Sequence, residues 1–149
     1  MIRYVLDTDM LSLFQKGHDR VAQHVAAHAA EQLATTIITV EEQLTGWYTQ
    51  LRRARQRDAL ARAYQRLTDA VRFLNCLNIL SFTEAAIVRY EQLLAGKVKI
   101  GKMDLRIAAI ALENGATLVS RNLRDFSAGP KPFSGRLGRL SSAIKFGQD

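Results

Sequence analysis

Short apolar segments alternate with longer amphipathic segments along most of this chain. The short segments, at residues 2–6, 33–38, 77–80 and 117–119, are rich in the residues that favour strands. The stretches between them have helical periodicity, at 10–15, 18–30, 41–76 (two helices joined near Arg55), 83–95 and 104–114. Strands that alternate with helices form parallel sheets covered by helices. The sequence therefore predicts an α/β fold, with a central parallel sheet of four to five strands flanked by helices on both faces.

Helix-start signals accompany this pattern. Thr39 precedes Glu42 by three residues, which is the spacing of a capping box, and predicts that a helix begins there. Thr8 or Asp9 is placed to cap the first helix, and Thr83 to cap a later one. These signals set the expected boundaries of the helices that follow the first, second and third strands.

Length and charge limit the kind of protein. The chain has 149 residues, so we expect one main domain, over 1–126, followed by a basic C-terminal tail over 127–149, where glycines and prolines interrupt the pattern. A net charge of +7 predicts an acidic partner, with nucleic acid ahead of membrane lipid. The single cysteine, Cys76, excludes an internal disulfide, and no apolar run approaches the ~20 residues of a membrane span. We expect a cytoplasmic protein.

Four acidic residues occupy strand-end or helix-start positions: Asp7, Glu42, Asp104 and Asp125. Parallel topology would bring such positions to one edge of the sheet. Two carboxylates ~4 Å apart repel by roughly 4 kcal/mol at an effective dielectric of 20, and a divalent cation removes that repulsion. Mg²⁺ and Mn²⁺ prefer such oxygen ligands, and they activate water and stabilise charge on a phosphodiester. Taken singly, however, Glu42, Asp104 and Asp125 are also typical of caps and dipole partners.

Four segments resemble, in order, the successive motifs of PIN-domain proteins, and among these the VapC toxins most. The segments are Val-Leu-Asp-Thr-Asp at 5–9, Thr-Val-Glu-Glu-Gln-Leu-Thr-Gly at 39–46, Asp-Leu-Arg-Ile-Ala-Ala-Ile-Ala-Leu at 104–112 and Gly-Ala-Thr-Leu-Val-Ser-Arg-Asn-Leu-Arg-Asp-Phe at 115–126. The resemblance implies a PIN-like fold and an endoribonuclease that depends on Mg²⁺ or Mn²⁺. It also implies a cognate antitoxin protein and a homodimer.

Site residues follow from the resemblance position by position. The implied catalytic acids are Asp7, Glu42, Asp104 and Asp125, of which Asp7, Asp104 and Asp125 would bind metal. Glu42 is preferred to Glu41 because the acid of the family lies four residues before the motif glycine, here Gly46. The implied supporting residues are Asp9, Ser120 and Asn122.

Basic residues provide candidate contacts with RNA. Lys97, Lys99 and Lys102 lie just before Asp104, and we expect them to bind the substrate backbone. Seven arginines lie between 52 and 72, a density that indicates either phosphate binding or a solvated helix face.

Two other functions remain open from the residues alone. The first is a phosphatase of the haloacid-dehalogenase type, in which Asp7 of the Asp7-Thr8-Asp9 segment would be the nucleophile, although Met10 and Leu11 replace the glycine and threonine expected there. The second is a non-catalytic module that binds RNA or protein through its arginine-rich helices. A zinc site at His24 and His28 has helical spacing but lacks a third ligand in the sequence pattern.

Overall fold

A computed structural model describes residues 1–96 and 100–121 of the chain. The strands are β1 (Tyr4–Leu6), β2 (Leu33–Thr36), β3 (Ile79–Leu80) and β4 (Thr117–Val119). The helices are α1 (Thr8–Gln15), α2 (Asp19–Ala26), α3 (Ile37–Arg53), α4 (Arg57–Asn75), α5 (Glu84–Ala95) and α6 (Lys102–Glu113), and Ala30–Gln32 form a short 3₁₀ turn. Among the described residues, no helix has the length and apolarity needed to cross a membrane.

The four strands form one parallel sheet in the order β3-β2-β1-β4. The chain moves outward from β1 through β2 to β3, and then returns to place β4 on the other side of β1. The order of the strands therefore reverses between β1 and β4. In open α/β sheets, ligands bind outside the carboxyl ends of the strands at such a switch point.

Alternate side chains of the central strands enter two separate cores. Val5 and Leu118 pack with Ile107 and Ile110 of α6 on one face of the sheet. Leu6 and Val119, the next residues in β1 and β4, pack with Met10 of α1 and other residues of α1 and α2 on the opposite face. Because successive side chains of a strand point to opposite faces, short apolar strands of this kind need helices on both sides. The predicted parallel sheet with helices on both faces is confirmed.

The boundary between β2 and α3 differs from the prediction. The strand expected over 33–38 ends at Thr36, and Ile37 and Ile38 already belong to α3. Thr36 is the N-cap of α3, because its hydroxyl accepts the backbone N–H of Thr39 at 3.2 Å, so the predicted cap at Thr39 is wrong. A β-branched run of this length does not distinguish the end of a strand from the first turn of a helix.

Other boundaries lie close to those predicted. The joint expected near Arg55 lies between α3 and α4, and Thr83 caps α5 by accepting the N–H of Ala86 at 3.2 Å. The helix expected over 18–30 is too long, since α2 ends at Ala26. The chain then turns back toward the sheet, where Arg3 donates its backbone N–H to the carbonyl of Gln32 at 2.9 Å. This bond places the start of β2 beside β1.

The core formed by α6 and the sheet can be tested with two isoleucines. Ile107 on α6 has no exposed surface, whereas Ile87 on α5 is 38% exposed. We expect Ile107→Ala to lower the free energy of unfolding by about 2–5 kcal/mol, because it removes buried atoms and leaves a cavity. Ile87→Ala is the matched control and should cost much less. Urea denaturation of both variants measures the difference, and equal losses would contradict this assignment of the core.

Candidate active site

Asp7 lies at the switch point, immediately after β1. Its backbone N–H donates to the carbonyl of Val119 in β4 at 3.1 Å, and its carboxylate Oδ1 accepts the N–H of Met10 at 2.8 Å. Asp7 is therefore the N-cap of α1, the position for which Thr8 or Asp9 was predicted. Its side chain is buried, with 7% of its surface exposed. The fold thus holds one carboxylate rigidly between the carboxyl ends of β1 and β4.

The surroundings of Asp7 favour its neutral form. Burial raises the pKa of Asp7 to about 6, although hydrogen bonds from the Ser120 hydroxyl and the Met10 N–H act in the opposite direction. The negative charges of Asp9 and Asp104 raise this pKa further. Ser120 follows β4 directly and is buried. The fold therefore brings together two residues that come after neighbouring strands, Asp7 and Ser120.

Glu42 is held in place by a chain of hydroxyl groups. It lies on α3, and its Oε1 accepts a hydrogen bond from the Thr8 hydroxyl at 2.9 Å. The Thr8 and Thr39 hydroxyls are 3.1 Å apart. Because Thr8 donates its single proton to Glu42, Thr39 is the donor to Thr8. Burial raises the pKa of Glu42, the bond from Thr8 opposes that rise, and the charge of Asp104 adds to it.

Asp104 connects the two carboxylates described above. It lies in the first turn of α6, and its charge raises the pKa of both Asp7 and Glu42. Asp9, which is exposed on α1, acts on the same two groups. These acids come from three separate helices, so their convergence is a result of the tertiary fold. The edge of the sheet therefore carries a group of acids that act on one another's charge, of which Asp7 is buried and Glu42 and Asp104 are half-buried.

The chemistry of this cluster suits a hard divalent cation. Such ions take oxygen ligands from carboxylates, and the raised pKa of Asp7 is the response expected of an acid that is buried near other acids. Within residues 1–96 and 100–121, no three acidic, histidine or cysteine side chains are grouped closely enough to form a ready metal site. The donor set fits a metal by its chemistry, and the fourth predicted acid, Asp125, lies outside the described residues together with Asn122.

The predicted basic contacts are only partly described. Lys102 begins α6 and is exposed, whereas Lys97 and Lys99 lie outside the described residues. The arginines between 52 and 72 are all exposed on α3, α4 and the joint between them, and Arg62 pairs with Asp58 at 3.0 Å. His28 of the histidine pair packs against the Tyr4 ring, with 4.6 Å between the ring centres.

Thr8 and Thr39 were not predicted as part of the site. Thr8 stands beside Asp7 and was considered only as a cap. Thr39 lies one helical turn before Glu42, a spacing that places both side chains on one face of α3. That spacing is the signal from which the pair could have been found, once α3 was known to begin before Thr39.

The burial of Asp7 predicts a specific dependence of stability on pH. Its pKa is about 6 in the folded protein and about 3.9 in an unfolded chain, so the folded state binds more protons between these values. The contribution of Asp7 to the free energy of unfolding therefore falls as pH rises from about 4 to 6. Asn also caps helices, so Asp7→Asn keeps the cap and removes the buried charge. In chelator at pH 8, we expect this variant to be more stable than the wild type, by up to about 3 kcal/mol.

Urea denaturation at pH 4 and pH 8 measures this effect, and the gain should nearly vanish at pH 4. Asp58→Asn is the control, because Asp58 lies on the exposed surface of α4. Equal stability of wild type and Asp7→Asn at pH 8 would show that the buried carboxylate costs nothing.

Comparison with known proteins identifies the family. The family model described as the PIN domain matches residues 4–131. Among curated proteins, none matches this chain.

Several solved structures share its fold. The DNA-bound VapBC structure from Salmonella typhimurium contains a chain that is 22% identical, with a TM-score of 0.69, over 87% of this chain and 94% of that one. A toxin–antitoxin complex from Klebsiella pneumoniae matches at 24% identity and a TM-score of 0.65, over 85% and 92% of the two chains. VapBC2 from Rickettsia felis, bound to a DNA fragment from its promoter, matches at 25% identity and a TM-score of 0.63, over 87% and 94%. This chain belongs to the PIN-domain family.

Proposed function

We propose that this protein is a metal-dependent endoribonuclease that hydrolyses RNA phosphodiester bonds and acts as the toxin of a toxin–antitoxin pair. One observation carries the proposal: the charge of Asp104 acts on both Asp7 and Glu42, near the switch point of the sheet, in a protein of net charge +7. Crowded acids suit a cation, and a cationic surface suits a polyanionic substrate. Membership of the PIN-domain family supports the same reaction class.

The proposed metal ligands are Asp7, Asp104 and Asp125, for Mg²⁺ or Mn²⁺. When bound, the ion would supply Lewis acidity at the phosphate and lower the pKa of water. Asp7 contributes a carboxylate whose position is fixed by the N–H of Met10 and the Ser120 hydroxyl. A carboxylate fixed in this way needs little rearrangement to bind a cation. Asp9, Ser120 and Asn122 are the proposed supporting residues.

Glu42 is the proposed general base. A base works best when its pKa approaches the pH at which the protein operates, and burial raises the pKa of Glu42 in that direction. Thr8 donates to one oxygen of the carboxylate, so the other oxygen is available to accept a proton from the attacking water. Glu42 would then hold that proton while the oxygen–phosphorus bond to the leaving group breaks.

The substrate contacts we propose are Lys97, Lys99 and Lys102, which precede Asp104 in the sequence. Lys102 is exposed at the start of α6, within one helical turn of Asp104. Positive charge there would offset the repulsion between the acids and the RNA backbone.

A cognate antitoxin is the proposed protein partner. The solved structures that resemble this chain include toxin–antitoxin complexes. Exposed apolar side chains support a protein partner as well: Leu60, Tyr64 and Val71 on α4 are each at least 38% exposed. We propose a homodimer in the cytoplasm that this antitoxin binds. Light scattering of the purified chain, alone and with the product of an adjacent short reading frame, tests both assemblies.

Cleavage of RNA is the direct test. With Mg²⁺ or Mn²⁺, the wild-type protein should cut total RNA at defined sites, and chelator should abolish cutting. Asp7→Asn should lower the cleavage rate by about a hundredfold or more, because it removes a proposed metal ligand. Asp58→Asn is the matched control, since the same substitution on exposed α4 should leave the rate unchanged. Mapping of the 5′ ends of the products measures both the rate and the sites.

Three results would overturn the proposal. Cleavage by Asp7→Asn at the wild-type rate would show that the acidic cluster is not catalytic. Binding of RNA without metal binding or cleavage would favour the interaction module. A phosphoaspartate trapped on Asp7 would revive the phosphatase, which family membership does not support.

A further inference from the structure

Arg106 carries a positive charge within a largely apolar setting on α6. The guanidinium carbon lies 5.4 Å from the centre of the Tyr90 ring and 5.8 Å from that of the Phe82 ring. These rings meet edge to face at 6.0 Å, so they form a two-sided support for the guanidinium. Stacking on rings holds an arginine in one place without neutralising its charge.

The donors of Arg106 are incompletely used. Its Nε is buried and has no hydrogen-bond partner among the described residues, and its Nη1 contacts only the Sδ of Met103, at 4.0 Å. By contrast, Arg89 on the neighbouring α5 pairs with Glu113 at 3.1 Å. In the part of the chain that the structure describes, the ion pairs do not include Arg106. Burying part of a guanidinium without an anion raises the free energy of the folded protein, and binding of an anion offsets that increase.

Arg106 lies near the start of α6, as Asp104 does. Two residues of α-helix advance about 3 Å and rotate about 200°, so Arg106 lies beside Asp104 in height but on the other side of α6. The contact with Met103 shows that the side chain extends back toward the first turn of α6, where Asp104 lies. Phe82 follows β3, so it lies at the same edge of the sheet as Asp7, which follows β1. The guanidinium therefore lies at the same end of α6 as Asp104, on the side of the helix that faces Phe82 and Tyr90.

Arg106 is not among the groups that shift the pKa of Asp7 or of Glu42. The charges that shift the pKa of Asp7 and of Glu42 are those of other acids, and the opposing effects come from hydrogen bonds. A ligand that spans both sites must offer negative charge beside Arg106 and a reacting group beside the acids. A nucleic acid strand does so, because it carries a phosphate at every nucleotide.

We propose that Arg106 binds a backbone phosphate of the RNA next to the bond that is cleaved. The inference rests on the proposed nuclease function and adds a specific substrate contact to it. Arginine donates two parallel hydrogen bonds to phosphate oxygens, and a guanidinium already ordered by Phe82 and Tyr90 loses little entropy on binding. The competing interpretation is a purely structural arginine whose role is to cover the two rings.

Binding of a labelled single-stranded RNA oligonucleotide, followed by fluorescence anisotropy at several salt concentrations, separates these interpretations. All variants carry Asp7→Asn, which blocks cleavage. Adding Arg106→Met keeps an unbranched apolar side chain on the rings and removes the charge. We expect it to weaken binding by about tenfold or more, because hydrogen bonds to charged groups are strong, and to reduce the slope of log K against log salt by about one. Arg89→Met is the control, because Arg89 lies on the neighbouring α5 and is paired with Glu113, and it should change binding little.

Arg106→Lys is a second variant that tests the same contact if the methionine variant does not fold. Lysine retains the charge and the ring contact but loses the planar pair of donors, so binding should weaken several-fold with the salt slope preserved. Unchanged affinity and slope in both Arg106 variants would overturn the inference and leave the nuclease proposal intact. Failure of the Asp7→Asn parent to bind RNA at any salt concentration, together with failure of the wild type to cleave it, would remove the nuclease function and this contact with it.

Discussion

The structure depends on one buried carboxylate at the point where the sheet changes direction. Asp7 connects β1 to β4 through its backbone N–H, and its side chain caps α1. The cap and the bond from Ser120 stabilise the ionised form, but they do not offset its burial, since the pKa still rises to about 6. A residue chosen for stability alone would be Asn or Ser, which cap helices equally well without a charge. A carboxylate at position 7 is therefore explained if its negative charge binds a cation.

The start of α3 has consequences for Glu42. Because Thr36 caps the helix, the Thr39 side chain is not needed at the cap and is free to bond Thr8. Thr8 in turn fixes Glu42, so one helix boundary determines the orientation of a carboxylate on the next turn. A helix that began at Thr39 would use that hydroxyl to satisfy its own N–H groups. The proposed base would then lack the donor chain that now orients it.

Much of this architecture could be predicted from the sequence, and the exceptions have physical causes. Residues 117–119 form a strand as expected. They are a short apolar run, and Gly115, with a φ of 61°, separates them from α6. Residues 37 and 38 were predicted as part of a strand, because isoleucine favours strands, but they form the first turn of α3, where Ile38 packs into the core. Parallel topology favours the observed influence of Asp104 on the pKa of Asp7 and Glu42, but only the fold could bring Thr8 beside Thr39. Asp125 and Asn122 remain predictions, since they lie outside the described residues.

Arg106 was overlooked for a related reason. In sequence it is one polar residue in an apolar helix, and a polar residue at that spacing is typical of a solvated face. Only the fold reveals that Phe82 and Tyr90, from a loop and from α5, surround it.

The positive charge of this protein is of two physical kinds. The arginines of α3 and α4 are exposed, so salt at physiological strength screens them beyond about 8 Å, and they act mainly on encounter with a polyanion. Arg106 packs on the Phe82 and Tyr90 rings, so under the proposal above it would act at contact distance on one defined anion. Acids repel a polyanionic strand, and diffuse surface charge does not fix one phosphate in position against that repulsion. If Arg106 binds a backbone phosphate as proposed, an arginine without an ion pair among the described residues, held on two rings at the same end of α6 as Asp104, would do so, and its position would then matter more than its contribution to the net charge.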